Sequence, residues 1–594
     1  MQDFKEKIKE IFSLDYRSLA LMRIGVGLKL IFDLIDRARD LSAHYSDLGT
    51  LPRSTLLQFF HNDYFISLHM ASGWAMFEGI LFIIAFIFAV MLVVGYRTTL
   101  ATIISWFLLI SLHNRNPLIL QGGDVIFRVV LFWCMFLPWG KRFSFDRYNK
   151  KTEIPETKTF SGAAATAYII QIVLVYIFCG LLKTGEVWQN GLAIYYALSI
   201  DQFTTPIGYF FLQFPRFLKL LTHGVLYTEF FGALAIISPI YNQALRMFAV
   251  AVLIIMQMGI NLSMRIGLFG MIAVVTLIGL LPSLFWDDIL PRIQKIISTK
   301  KKTGLKIYYD GVCGFCQKST YYLKRALFLS PSTQVLPVQT DESVKRDMDI
   351  HNSWVIIDSG GNRHFAFDGF ITMVSYSPIF FFFAPIFRIN FIHQIGDVIY
   401  RRVSTKRTKL CLRPHKIEPE TKIKKSARKI EKAVIVFLTI YIILWNLDTL
   451  PTKNKFIPES WKWIAWTTRL DQKFDMFAPS PSTEDGWYVM PGYLKNGSEI
   501  NIYTGKPVTY EKPYLVAWTY KNQRWQKYLM NLYSENNKNY RLAYGQYLCR
   551  EWNGSHKDSE QVNDFKIIYM LEPTLPDYQT PTITPTTIWE HRCF

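Results

Sequence analysis

Apolar stretches long enough to cross a bilayer recur through the first half of this chain, and they constrain its fold more than any other feature. Residues 17–35, 75–96, 98–111, 125–139, 164–182, 221–240, 245–262 and 266–285 each read as a helical span, and a ninth, 433–447, stands alone far downstream. Composition agrees: half of the 594 residues are hydrophobic, 16% are aromatic and only 19% are charged. That balance excludes a disordered chain, and seven cysteines are too few for a disulfide-built secreted scaffold. The first ten residues are charged and no cleavage site follows a short apolar core, so the first span is expected to be retained.

The formal charge is +20, and its distribution gives it a meaning. Basic segments fall at 141–158, 292–302 and 401–432, after the fourth and eighth spans and before the ninth. Such loops favour the cytoplasmic face and anionic lipid, so membrane lipid rather than nucleic acid is the expected partner. With all three inside, the N-terminus is cytoplasmic and residues 449–594 are external. The expected architecture is therefore a multi-pass α-helical membrane protein of about nine helices, in a cell membrane of bacterial type. A helical region covers 1–300, an inserted cytoplasmic module 303–402, a basic linker 403–432, the ninth helix 433–448 and an external α+β domain 449–594. Residues 371–387 are nearly all apolar but contain Pro378 and Pro385. A further span there would invert the basic segment that follows, so an interfacial or buried hairpin is the preferred reading.

The module opens with KIYYDGVCGFCQKSTYYL, residues 306–323. A β-like run leads through the turn Asp310-Gly311 to Cys313-x-x-Cys316, and a helical pattern begins at Gln317. A cysteine at a helix N-terminus has its thiolate favoured by the unpaired N–H groups and the helix dipole. A second cysteine one turn on can resolve a mixed disulfide. The alternative is half of a zinc site, for which the module offers His351, His364, His393 and Cys411 at irregular spacing. No metal is expected.

These residues resemble the DCC thiol-disulfide oxidoreductase family, whose signature Asp-Gly-x-Cys-x-x-Cys is met here by Asp310, Gly311, Cys313 and Cys316. The resemblance implies a thioredoxin-like α/β fold for this insertion, with Cys313 as the attacking thiol and Cys316 as the resolving one. A cytoplasmic site of this kind would act as a protein-disulfide reductase, reset by a cytoplasmic thiol reductant.

Ionisable residues inside apolar spans are functional candidates, here Arg23, Lys29, Asp33, Glu78, Asp124, Arg128 and Glu229. Asp124 and Arg128 are four apart and are expected to pair with each other. Lys183 stands at the outer end of the fifth span, in a phrase running from Gly180 to Trp188. It reads either as a base or as an anchor whose ammonium snorkels to the interface. Further phrases run through 23–33, 45–52, 113–124, 137–144 and 474–487. Together they resemble the horizontally transferred transmembrane family, which includes vitamin K-dependent γ-carboxylase. That resemblance implies a reduced quinone as cofactor, deprotonated by Lys183, with Gly180 and Trp188 completing the phrase. His113 lies near the position of the carboxylase's His after the third helix, and Arg115 takes the aligned place.

Three readings follow. The chain is a membrane thiol-disulfide oxidoreductase; or a quinone-linked, carboxylase-like enzyme acting on an exported protein or peptide; or a non-enzymatic factor for maturation or export of a secreted peptide. The residues themselves demand no cofactor. Cys134 and Cys179 read as packed apolar residues within spans. Cys549 and Cys593 fall on the external, oxidising side and are expected to form a disulfide closing a loop of about 45 residues.

Overall fold

The computed structural model describes residues 2–60, 62–146, 157–292, 304–327, 329–330, 332–377, 380–406, 422–453, 455–576 and 579–594. The chain divides into two compact units. One comprises Met1–Trp139, Thr159–Pro282 and Lys422–Phe594, and the other Gly140–Lys158 and Ser283–Thr421.

In the first unit each of the nine apolar stretches falls on a helix. These are Tyr16–Ala38, Ala75–Val94, Thr98–Arg115, Gly122–Cys134, Ala163–Leu181, Pro215–Ile236, Asn242–Ser263, Leu268–Ile278 and Lys422–Asp448. Four are long and apolar enough to cross a membrane: Ala75–Val94, Ala163–Leu181, Asn242–Ser263 and the Arg428–Asp448 part of the last. Ala75–Val94 shows why. Its one charge is Glu78, Ile80, Ile83 and Ile87 remain exposed, and Gly95 at φ 75° closes it with its N–H on the Met91 and Leu92 carbonyls.

The other five are shorter or carry more charge, so of the nine expected spans four have this length and apolarity. Gly122–Cys134 and Leu268–Ile278 have 13 and 11 residues, a rise of roughly 20 Å or less against a hydrocarbon core of about 30 Å. Tyr16–Ala38 carries Arg17, Arg23, Lys29, Asp33, Asp36 and Arg37, and Thr98–Arg115 ends in His113-Asn114-Arg115. Pro215–Ile236 holds Arg216, Lys219, His223 and Glu229.

The C-terminal part of this unit is α+β. The strand Val562–Pro573 pairs antiparallel with Thr584–Arg592, and also with Glu484–Val489 and Pro491–Leu494; the last pairs with Glu499–Asn501. The helices Gln523–Tyr533 and Arg541–Ser555 pack with this sheet. Residues 449–594 do not stand apart. Trp487, Trp525, Tyr528 and Tyr544 share one buried cluster with Leu34, Tyr45, Phe82 and Leu112 of the helical region. Burying aromatic rings of this size explains why the two regions form one unit.

The second unit is built on a four-stranded sheet in the order Gln334–Pro337, Lys306–Tyr309, Val355–Ile357, Arg363–Phe365. The first pair is parallel and the others are antiparallel. The parallel crossover is the helix Gly314–Ala326, as a βαβ connection requires. The next helix, Glu342–His351, starts where the Asp341 carboxylate accepts the Ser343 and Val344 N–H groups at 3.0 and 3.2 Å. It stops at Asn352, whose φ is 45°. The apolar stretch 371–387 is no span here. It forms the helices Ala366–Ser375, Phe381–Phe383 and Ala384–Phe387, with Ile371, Val374 and Ala384 buried in the module core. Pro378 of that stretch, Cys411 and most of the basic segments 141–158, 292–302 and 401–432 lie outside the described residues.

Candidate functional site

The redox turn is held by its own backbone. After the strand Lys306–Tyr309, the Asp310 carboxylate accepts the Val312 N–H at 3.1 Å, and the Asp310 carbonyl accepts the Cys313 N–H at 3.1 Å. Gln339, which the sequence reading did not single out, fastens the turn from the side. Its Oε1 accepts the Gly311 N–H at 3.0 Å and its Nε2 donates to Asp310 Oδ1 at 3.2 Å. A Cβ at 311 would lie 2.5 Å from Gln339 Oε1 and 3.1 Å from Pro337 Cβ, so a side chain there would displace the Gln339 amide from the turn.

Cys313 then occupies the cap position of the helix Gly314–Ala326. Its carbonyl accepts the Gln317 N–H at 3.1 Å, and its Sγ accepts the Cys316 N–H at 3.4 Å. A sulfur placed there receives an N–H that has no helical partner. Cys313 and Cys316 are both partly exposed thiols, and the neighbouring Val312 is 87% exposed. Exchange chemistry requires such access.

Cys316 forms part of the wall of a cavity of about 420 Å³. The rest is almost wholly apolar, with Phe315, Leu323, Trp354, Phe367 and Phe370 on one side and Ile395, Ile399 and Val403 of the helix Asn390–Lys406 on the other. The three module histidines are engaged elsewhere. His351 stacks on Phe365 at 3.9 Å, and His364 and His393 each pair with an aspartate, Asp358 and Asp368, at 3.1 Å. Among the described residues no group of three or more His, Cys, Asp or Glu could hold a metal ion.

In the other unit, Lys183 is buried and ion-paired with Glu229, 46 residues away, and its ammonium lies 4.7 Å from the centre of the Trp188 ring. The Trp188 indole N–H donates to the Phe477 carbonyl at 2.9 Å, so the 474–487 phrase meets the 180–188 phrase here. Lys183, Trp188, Glu229, Cys179 and Phe477 line an apolar cavity of about 450 Å³. His113 is not part of it. It is buried with Nε2 3.5 Å from Asp124 Oδ1.

Asp124 does not pair with Arg128, contrary to the i, i+4 expectation. Its carboxylate is taken by Arg37 at 2.7 Å and Arg524 at 2.6 Å. Asp33 joins the same buried cluster, 2.8 Å from Arg37 and 2.9 Å from Arg524. Arg128 turns instead to Asp471 at 3.0 Å. Glu78 pairs with His69, and the Lys29 ammonium approaches Met271 Sδ at 3.7 Å. Cys549, on the helix Arg541–Ser555, and Cys593, after the strand Thr584–Arg592, are joined in a disulfide with their Cα atoms 5.6 Å apart.

Cys313 and Cys316 thus form a capped, accessible dithiol between a strand and a helix. Residues 307–413 match the family DCC1-like thiol-disulfide oxidoreductase, and that segment is a domain of this kind. Comparison with curated proteins and with solved structures gave no match.

Proposed function

We propose that the chain is a multi-pass membrane protein whose 307–413 domain reduces protein or peptide disulfides by thiol-disulfide exchange. The observation that carries this reading is Cys313 Sγ at the helix cap, accepting the Cys316 N–H at 3.4 Å. The Cys313 thiolate attacks one sulfur of a substrate disulfide. That S–S bond breaks, the other sulfur leaves as a thiolate, and a mixed disulfide forms on Cys313. Cys316, now deprotonated, attacks Cys313 Sγ and releases the second substrate thiol. Two electrons have passed to the substrate, and the Cys313–Cys316 disulfide waits for a cytoplasmic thiol reductant. The strand order of the module, with one parallel and two antiparallel pairs, supports the thioredoxin-like reading of its fold. The basic segments support a cytoplasmic position for it; with nine crossings the N-terminus would be inside and residues 449–594 outside. Purified full chain in detergent is expected to reduce a peptide disulfide in the presence of a dithiol reductant, and Cys313→Ser to abolish this. Turnover retained in Cys313→Ser would reject the reading.

A second reading, quinone-linked and carboxylase-like, is favoured by the Lys183 cavity. Its volume and apolar lining, broken by the Lys183–Glu229 pair and the Trp188 edge, fit a lipophilic quinone. A reduced quinone bound there would supply a strong base after oxygenation. Lys183 would take the hydroquinone proton, which requires the lysine first to give one up, and Glu229 is the group beside it able to accept. Arginine cannot make that transfer but can serve as an anchor. Quinone-dependent activity is therefore expected to vanish in Lys183→Arg, and its survival would leave the lysine as an anchor.

A further inference from the structure

The helix Asn390–Lys406 closes one side of the redox cavity, yet much of its apolar surface is left uncovered. Phe391 is 72% exposed and Ile395, Val398, Ile399 and Val403 are each 39% exposed or more. Phe391, Ile395, Val398 and Arg402 recur at helical spacing, so the stripe runs along one face and ends in arginine, with the exposed Arg401 beside it. A soluble domain rarely leaves such a face open.

The chain that follows says what covers it. Residues 401–432 carry thirteen Lys and Arg against three Glu. The helix Lys422–Asp448, whose Arg428–Asp448 part is long and apolar enough to cross a membrane, begins sixteen positions after Lys406. Sixteen residues reach at most about 55 Å when fully extended, so a spanning helix keeps the module close to the bilayer. An exposed apolar stripe flanked by arginines on a helix tethered this way has the signature of a helix lying in a membrane interface, with the arginines among lipid headgroups.

We propose that this face docks the redox module onto the anionic surface of the bilayer. The proposal shares with the functional reading only the premise that the chain sits in a membrane, and does not depend on the chemistry of Cys313. It has a consequence for substrates. Ile395, Ile399 and Val403 both belong to the exposed face and line the cavity that holds Cys316. A docked module therefore meets its disulfides at the lipid interface rather than in bulk solvent.

The test replaces Phe391 with a photoreactive benzoylphenylalanine in the full chain, reconstituted in nanodiscs of phosphatidylcholine with or without phosphatidylglycerol. The expected products are lipid adducts on the peptide carrying residue 391, more abundant with phosphatidylglycerol. Arg401→Gln and Arg402→Gln should each lower them, by roughly fivefold per arginine. A matched probe at the exposed Lys345, on the helix Glu342–His351, should give few. Adducts from residue 391 to the chain itself or to a second copy would overturn the proposal, as would lipid adducts at 391 no more frequent than at 345. Disulfide reduction by the same samples reads the functional claim separately.

Discussion

Cys316 and Cys313 sit one helical turn apart, but only Cys316 forms part of the cavity wall, while the Cys313 sulfur takes the N–H at the helix cap. The turn that presents them was legible residue by residue, because Asp310, Gly311 and the cysteine spacing are local. Gln339 was not, since nothing in its own neighbourhood marks it as the residue fastening the 310–311 turn. A different residue carries the pH dependence expected of the fold. Asp485 is buried, and burial together with the neighbouring Asp201 carboxylate pushes its carboxyl up to about 7. In the unfolded chain the same group titrates near 3.8. Between those two values the native protein holds a proton that the unfolded chain has released. Its stabilising contribution is thus complete at the acidic end and is lost as pH rises toward 7, by up to about 1.4 kcal/mol per pH unit. Thermal melts in detergent should show the midpoint falling across this window, with the fall flattened in Asp485→Asn. An unchanged slope in that variant would assign the dependence elsewhere.

Among the elements, the junction of the helices Tyr16–Ala38, Gly122–Cys134 and Gln523–Tyr533 is held by charge rather than by apolar packing alone. Arg524, at the start of the third, reaches Asp33 on the first and Asp124 on the second. Arg524→Ala leaves Arg37 as the one arginine on those two buried carboxylates, and loss of one charged partner from such a cluster costs about 3–5 kcal/mol. Equilibrium unfolding in detergent should show that loss, and a change below about 1 kcal/mol would mean that water or Arg37 replaces the missing partner. The i, i+4 rule correctly puts Asp124 near Arg128 on one helix, but the carboxylate is claimed by arginines 87 residues before it and 400 after it. Similarly, Glu229 was noticed as an ionisable residue but not as the partner of Lys183 on another helix. Hydropathy located the long helices of the first unit, since apolar runs are local.

At the scale of the whole molecule, a redox domain interrupts a helical unit that resumes after it, from Pro282 to Lys422. The insertion was legible from the break in hydropathy and the CxxC phrase. The grouping of the C-terminal sheet with the helical region was not, because it rests on packing between distant segments. The central claim is that Cys313 exchanges disulfides with a substrate. The most direct measurement is mass spectrometry of the full chain carrying Cys316→Ser, expressed in a membrane and rapidly alkylated. Without the resolving thiol, a mixed disulfide on Cys313 should persist, be released by reductant, and be absent when Cys313 is also replaced by serine. Cys313 recovered only as the alkylated thiol, under conditions in which the wild-type chain turns over, would contradict the account.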